Sequence, residues 1–130
     1  MTETEQATAI LSAINAAIAP AVAYEYGGVP GSDGNAGTEP PKYVLVDLSR
    51  RYVESFRSGG DPSVLGHRLG TRYVAKNLAD ARTMRDRVMT ALEGQIIATP
   101  AGEIGPFVFE SSDSFLPTEG FQVGTDTWTF

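Results

Sequence analysis

Along the chain the spacing of apolar positions changes period several times, and each change marks an element. From about Thr4 to Ala19, the residues Ala7, Ile10, Leu11, Ile14 and Ile18 recur three or four apart, which places them on one face of a helix. Thr2 precedes Glu5 with capping-box spacing, Glu3 and Glu5 suit the positive end of the helix dipole, and Pro20 ends the run. Val22 to Tyr26 then reads as a short strand. Lys42 to Ser49 is a clearer one, because Tyr43-Val44-Leu45-Val46 is an apolar, β-rich run. Between them, residues 27–41 are dominated by Gly, Pro, Asn and Asp, which predicts a flexible loop available for contact with a neighbour.

The second half alternates in the same way. Residues 50–63 form an irregular excursion, where Arg50, Arg51 and Arg57 interleave with Tyr52 and Phe56 before Ser58-Gly59-Gly60-Asp61-Pro62 forces a turn. The pattern leaves a strand extension and an ordered excursion equally open. Val64 to Ala75 reads as a strand, with Gly66 and Gly70 as candidate bulge positions. A second helix is predicted over Leu78–Leu92, capped by Asn77 and ended by Gly94. Its inner stripe is Leu78, Ala81, Met84 or Arg85, Val88 and Leu92. A short strand near Ile96–Ala98, another over Ile104–Glu110 with Phe107 and Phe109 on one face, and a closing strand over Phe121–Phe130 complete the chain. The order α-β-loop-β-β-α-β-β-β predicts one α+β domain over residues 1–130. It has a mostly antiparallel sheet of about five or six strands with two helices packed on one face.

Composition narrows the function classes. At 130 residues and 13.8 kDa the chain suits one domain, which buries roughly two-thirds of its unfolded surface. It contains no cysteine, so disulfides, thiolate metal sites and cysteine nucleophiles are excluded, and a reducing compartment fits. No apolar run reaches the ~20 residues of a membrane span. The acidic start, Met1-Thr2-Glu3-Thr4-Glu5, lacks the positive flank of a signal peptide, so a cytosolic, unprocessed chain is expected. The net charge of −6 opposes free-standing nucleic-acid binding.

The distribution of charge is more informative. Residues 1–41 hold five acids and no base, residues 42–87 hold ten bases against five acids, and residues 88–130 hold six acids and no base. If the basic and acidic segments form different surfaces, identical copies attract head to tail and close into a ring. If they meet inside one fold, they neutralise each other there. The sequence leaves both open.

Candidate chemistry is sparse. A Ser-His-acid triad has only His67 to use, no Gly-x-Ser-x-Gly elbow is present, and a lone strand histidine reads as structural. The stretch Asp33 to Glu39 superficially resembles a calcium loop. An EF-hand, however, needs Gly where Thr38 stands and Glu where Val44 stands, so an Asx-rich turn is the better reading. No phosphate-binding Gly-x-x-x-x-Gly-Lys motif occurs, and the acids are scattered. No catalytic, cofactor-binding or metal-ligating residue is therefore expected, nor an enzyme. The interface candidates are Arg50, Arg51, Tyr52, Phe56 and Arg57, with Trp128 and Phe130 at the end, because Arg and aromatic side chains are enriched at contact hot spots. Arginine stems lying over sheet edges, or phosphate pairing with nucleic acid, are the other uses of such a stretch.

Several segments taken together resemble a known family. They are the Ala-rich first helix, the Gly/Pro loop, the strand Pro41-Lys42-Tyr43-Val44-Leu45-Val46, and a long strand with Arg72-Tyr73-Val74. The helix from Ala79 to Gly94 and the strand Gly105-Pro106-Phe107-Val108-Phe109-Glu110-Ser111-Ser112 follow. Over roughly residues 5–130 this order is similar to the tail terminator, or tail-completion, proteins of long-tailed siphovirus-type bacteriophages. The resemblance implies a hexameric ring at the head-proximal end of the tail tube, which ends tube polymerisation and offers a docking surface to the head–tail connector. It implies a virion protein of the neck, assembled in the host bacterial cytoplasm, with DNA passing through the lumen without specific binding, no cofactor and no membrane. Another neck component, a head-completion protein or a tail tube subunit is the nearest alternative. A small regulatory or ligand-binding module, or an enzyme built on His67, lies further off.

Overall fold

Thr2 and Glu5 satisfy each other's backbone at the start of the fold. The Thr2 Oγ1 accepts from the Glu5 N–H at 3.2 Å, and the Thr2 N–H donates to Glu5 Oε2 at 2.8 Å. This is the expected capping box, and it starts helix α1 (Glu3–Ile18), whose Ala7, Ile10, Ile14 and Ile18 are buried on one stripe. The computed structural model describes residues 2–26, 40–52 and 65–130. The calcium-like stretch Asp33 to Glu39, most of the loop expected over 27–41, and residues 53–63 of the excursion lie outside the described residues.

After α1 come strands β1 (Val22–Glu25), β2 (Lys42–Tyr52) and β3 (Leu65–Ala75), then helix α2 (Leu78–Leu92). Five short or medium strands finish the chain: β4 (Ile97–Thr99), β5 (Gly102–Ile104), β6 (Val108–Ser112), β7 (Leu116–Thr118) and β8 (Phe121–Thr129). Six strands form one sheet in the order β1-β2-β3-β8-β6, with β7 also on β8; β1 is parallel to β2 and the other pairs are antiparallel. β4 and β5 pair only with each other. The fold is α+β, as the order of elements predicts.

One core lies between the helices and the sheet. The stripe of α1 and the Ala81, Met84, Val88 and Leu92 stripe of α2 meet Val44, Val46, Leu69, Tyr73 and Trp128 from the strands. Each large apolar side chain withdrawn from water here contributes about 1.5–3 kcal/mol, so these stripes fix which face of the sheet the helices cover. Asn77 caps α2 by accepting from the Asp80 N–H at 2.8 Å, and Gly94 follows its end at φ +67°. The opposite face of the sheet carries a second, smaller cluster around Tyr43 and Val74 and no described helix.

One open reading is decided by the structure, and three others differ from expectation. β2 continues through Arg50 and Arg51 to Tyr52, so the start of the excursion is a strand extension held by pairing with β3. β3 keeps unbroken register past Gly66 and Gly70; the irregularity sits instead in β6, between Phe109 and Ser111. The strand expected over Ile104–Glu110 is broken. Gly105 takes φ +114° and Pro106 lacks an N–H, which ends β5 before β6 begins. β7, within a stretch of mixed composition, has no counterpart in the sequence pattern, because three residues are too few to show a period.

Candidate assembly interface

The β2–β3 hairpin outruns its neighbours. β1 covers β2 only from Tyr43 to Val46, and β8 covers β3 from Arg68 to Ala75, while the β2–β3 ladder continues to Tyr52 opposite Leu65. Arg51 and Tyr52 thus lie on the outermost rungs of a two-stranded ribbon. Such ribbons are marginal alone and gain stability by contact. Arg50 sits one rung inward, opposite His67, with a side chain 60 % exposed and its Nε 3.2 Å from Glu3 Oε2. An exposed pair of this kind contributes about 0–1 kcal/mol, so Arg50 remains free to exchange partners.

Phe130 reaches the same end of the sheet. His67 and Phe130 exchange backbone hydrogen bonds of 2.8 and 3.1 Å, and their rings stack at 4.9 Å between centroids with 17° between planes. The Phe107 ring also contacts Phe130, at 4.7 Å between centroids. His67, the one candidate base, is thereby occupied as an aromatic platform. Arg50 and Phe130 are brought to one end of the molecule. Phe56 and Arg57 lie outside the described residues. Trp128 does not belong to the surface: it is fully buried, packs edge-on against Phe109 at 5.4 Å, and serves the core. The alternation of the last strand placed Trp128 and Phe130 on one face; Trp128 is fully buried, and Phe130, at the end of the sheet, is half-buried and packs against the edge of the same core.

A buried polar chain runs beneath α2. Trp128 Nε1 donates to Thr71 Oγ1 at 3.1 Å, the Thr71 hydroxyl lies 2.9 Å from the Tyr73 hydroxyl, and Tyr73 donates to Asp126 Oδ2 at 3.0 Å. Since the phenol spends its single proton on Asp126, the Thr71 proton points to Tyr73, and the chain has one direction. Ser112 Oγ donates to Asp126 Oδ1 at 2.5 Å. Arg85 brings the opposite charge: its Nε is 3.1 Å from Asp126 Oδ1, at an angle that makes an ion pair without a proper hydrogen bond. Its Nη2 donates to the Asp113 carbonyl at 2.8 Å, and its guanidinium lies 4.1 Å from the centroid of Phe115. Burial pushes the Tyr73 phenol far above its ordinary value, and the Asp126 charge adds to the effect. Apart from Arg85 Nε, the buried polar atoms of this cluster are hydrogen-bonded to one another, and such a network specifies how the elements pack. Sequence reasoning missed it, because an aspartate in a strand looks like a solvated residue.

The charge pattern is partly resolved within the chain. The ion pairs among described residues are Arg50–Glu3, Arg68–Glu110 and Arg85–Asp126, and each joins the basic middle segment to an acidic flank. Arg72 and Arg82 make no ion pair with any described residue. Among the described residues no group of three His, Asp or Glu side chains gathers as a metal site, and no helix is long and apolar enough to cross a membrane.

No protein-family model matches the sequence, and no curated protein shows significant similarity to it. Among solved structures, a chain from the virion of a native gene transfer agent particle has a similar fold, with a TM-score of 0.55 and 14 % sequence identity. The match covers 89 % of this chain and 81 % of that one. At this identity the likeness shows a shared fold.

Proposed function

We propose that this protein is a structural subunit of a phage-like virion, without enzymatic activity, and that it acts as a tail terminator. It forms a ring of six copies on the head-proximal end of the tail tube, stops addition of tube protein, and presents a docking face to the head–tail connector proteins. The observation that carries this reading is the fold likeness to a gene transfer agent virion chain over nearly the whole length of both proteins. In this reading the end of the β2–β3 ribbon, where Arg50, Arg51 and Tyr52 stand on the last described rungs, is a contact surface, because Arg and aromatic residues are the types that interfaces favour. A net charge of −6 suits a neck through which DNA slides, since a basic lining would hold phosphates. The protein works in the virion neck after assembly in the host cytoplasm, with no cofactor and no membrane contact.

Microscopy of particles made without this protein tests the role. Overlong tails lacking heads are expected. Finished tails beside full, unattached heads would assign it to the connector instead, and loss of tails altogether would assign it to the tube.

A further inference from the structure

β1 is an outermost strand of the main sheet, and among the described residues no strand lies beyond it. Val22 and Tyr24 are types that favour strands, and an edge of that kind is a template for pairing with another chain.

In a parallel pair, alternate residues turn both backbone groups toward the partner strand. The Tyr26 N–H donates to the Val46 carbonyl at 3.1 Å, and the register sets Val22 to Glu25 against Tyr43 to Val46. Val22, Tyr24 and Tyr26 therefore turn their peptide groups to β2, while Ala23 and Glu25 turn theirs away from the sheet. Helix α1 meets the first of these outward positions. Asn15 Oδ1 accepts from the Ala23 N–H at 2.7 Å, in a half-buried setting. Just before the strand, the Ala21 N–H donates to the Ile18 carbonyl at 3.0 Å, at the end of α1. Glu25, the second outward position, is exposed and brings a charge to the edge.

Helix formation alone does not call for Asn15. Asparagine is a weaker helix former than alanine, and Ala13, Ala16 and Ala17 surround it. Nor does Asn15 belong to the buried stripe of Ala7, Ile10, Ile14 and Ile18. Its bond to Ala23 occupies the group that an added strand would use. The outer strand on the other side, β6, is blunted by different means, a register shift between Phe109 and Ser111 and the charge of Glu110.

We propose that Asn15 guards the sheet edge: by holding the Ala23 N–H it keeps β1 from adding a strand of a second copy, and so keeps the sheet from growing copy by copy. This goes beyond the ring reading above and stands without it.

Asn15→Ala removes the guard and leaves a good helix former in its place. Exchange of the Ala23 amide, followed by NMR in dilute solution, is expected to quicken roughly five- to tenfold. At raised concentration, sedimentation velocity should show species larger than any the wild type forms, with thioflavin T fluorescence that the wild type lacks. Asn15→Asp keeps an acceptor oxygen in the same place and should match the wild type in both measurements. Adding Glu25→Pro to Asn15→Ala should abolish the larger species while Ala23 exchange stays fast, because proline blocks an edge at an outward N–H. Faster exchange without larger species overturns the proposal, as does unchanged exchange. Larger species that persist with Glu25→Pro, or that form in Asn15→Asp, overturn it too. Loss of native circular dichroism in Asn15→Ala would show that the bond holds the fold together and does not guard the edge, which is equally fatal.

Discussion

Arg85 Nε stands 3.1 Å from Asp126 Oδ1, so a guanidinium from α2 is laid on a fully buried carboxylate of the last strand. The pair joins the basic middle of the chain to its acidic end and pins α2 to the centre of the sheet. Removing one partner leaves the other charge buried and unmatched. Asp126→Ala is expected to cost about 3–5 kcal/mol, measured as a shift in urea midpoint at constant slope. Arg85→Met combined with Asp126→Leu should cost less than the sum of the two single changes, since no lone charge is left behind.

The Tyr73 phenol gives a pH dependence whose sign is fixed. Burial raises it above the ordinary 10.0 in the folded chain, while the unfolded chain ionises near that value. Above pH 10.0 the unfolded state therefore binds fewer protons than the folded one, and stability falls as pH rises. Tyr73→Phe should flatten that alkaline loss while lowering stability at neutral pH by roughly 1 kcal/mol through the lost hydrogen bonds. Denaturant titrations at neutral and alkaline pH check both.

Gly124 lets the Arg85 guanidinium and the Phe115 ring approach the sheet. A Cβ placed there would meet Phe115 Cδ1 at 2.7 Å and Arg85 Nη2 at 2.9 Å. Gly124→Ala is expected to displace both side chains and cost about 1–3 kcal/mol, a cost of overpacking. Gly105→Ala should cost at least as much, because φ is +114° and the new Cβ would lie 2.6 Å from the Gln95 carbonyl oxygen, a backbone atom that cannot swing away. Thermal melts of the two variants test the comparison.

Arg50→Glu with Arg51→Glu separates assembly from folding. The Arg50–Glu3 pair is exposed on both sides, so the melting temperature should move little. Assembly onto tube ends should weaken clearly, as read by co-sedimentation with tubes. Unchanged binding removes the ribbon end from the interface.

Much of the fold is legible in the sequence because its elements are long or sharply punctuated. The capping residues Thr2 and Asn77, the helical stripes, and the Tyr43 to Val46 run mark their elements through local physics alone. What escapes depends on distant partners. The extension of β2 to Tyr52 is decided by its pairing with β3, and β7 exists only because β8 lies beside it. The candidate interface was legible only in composition. Trp128 and Phe130 alternate with the same partners, yet one is core and the other lies at the sheet's end. Asp126 reads as polar surface until Arg85, on another element, reaches it. The segregated charge pointed equally to contact between copies and to neutralisation within one. The fold takes the second course for Arg50, Arg68 and Arg85.

The central claim, a subunit that acts by closing a ring on the tail tube, is tested most directly by weighing what it forms. Native mass spectrometry of the chain with tail tube protein should show a species at six times the 13.8 kDa subunit mass, alone or bound to tube ends. A chain that keeps its monomer mass at every concentration and leaves tube growth unaltered would contradict the account.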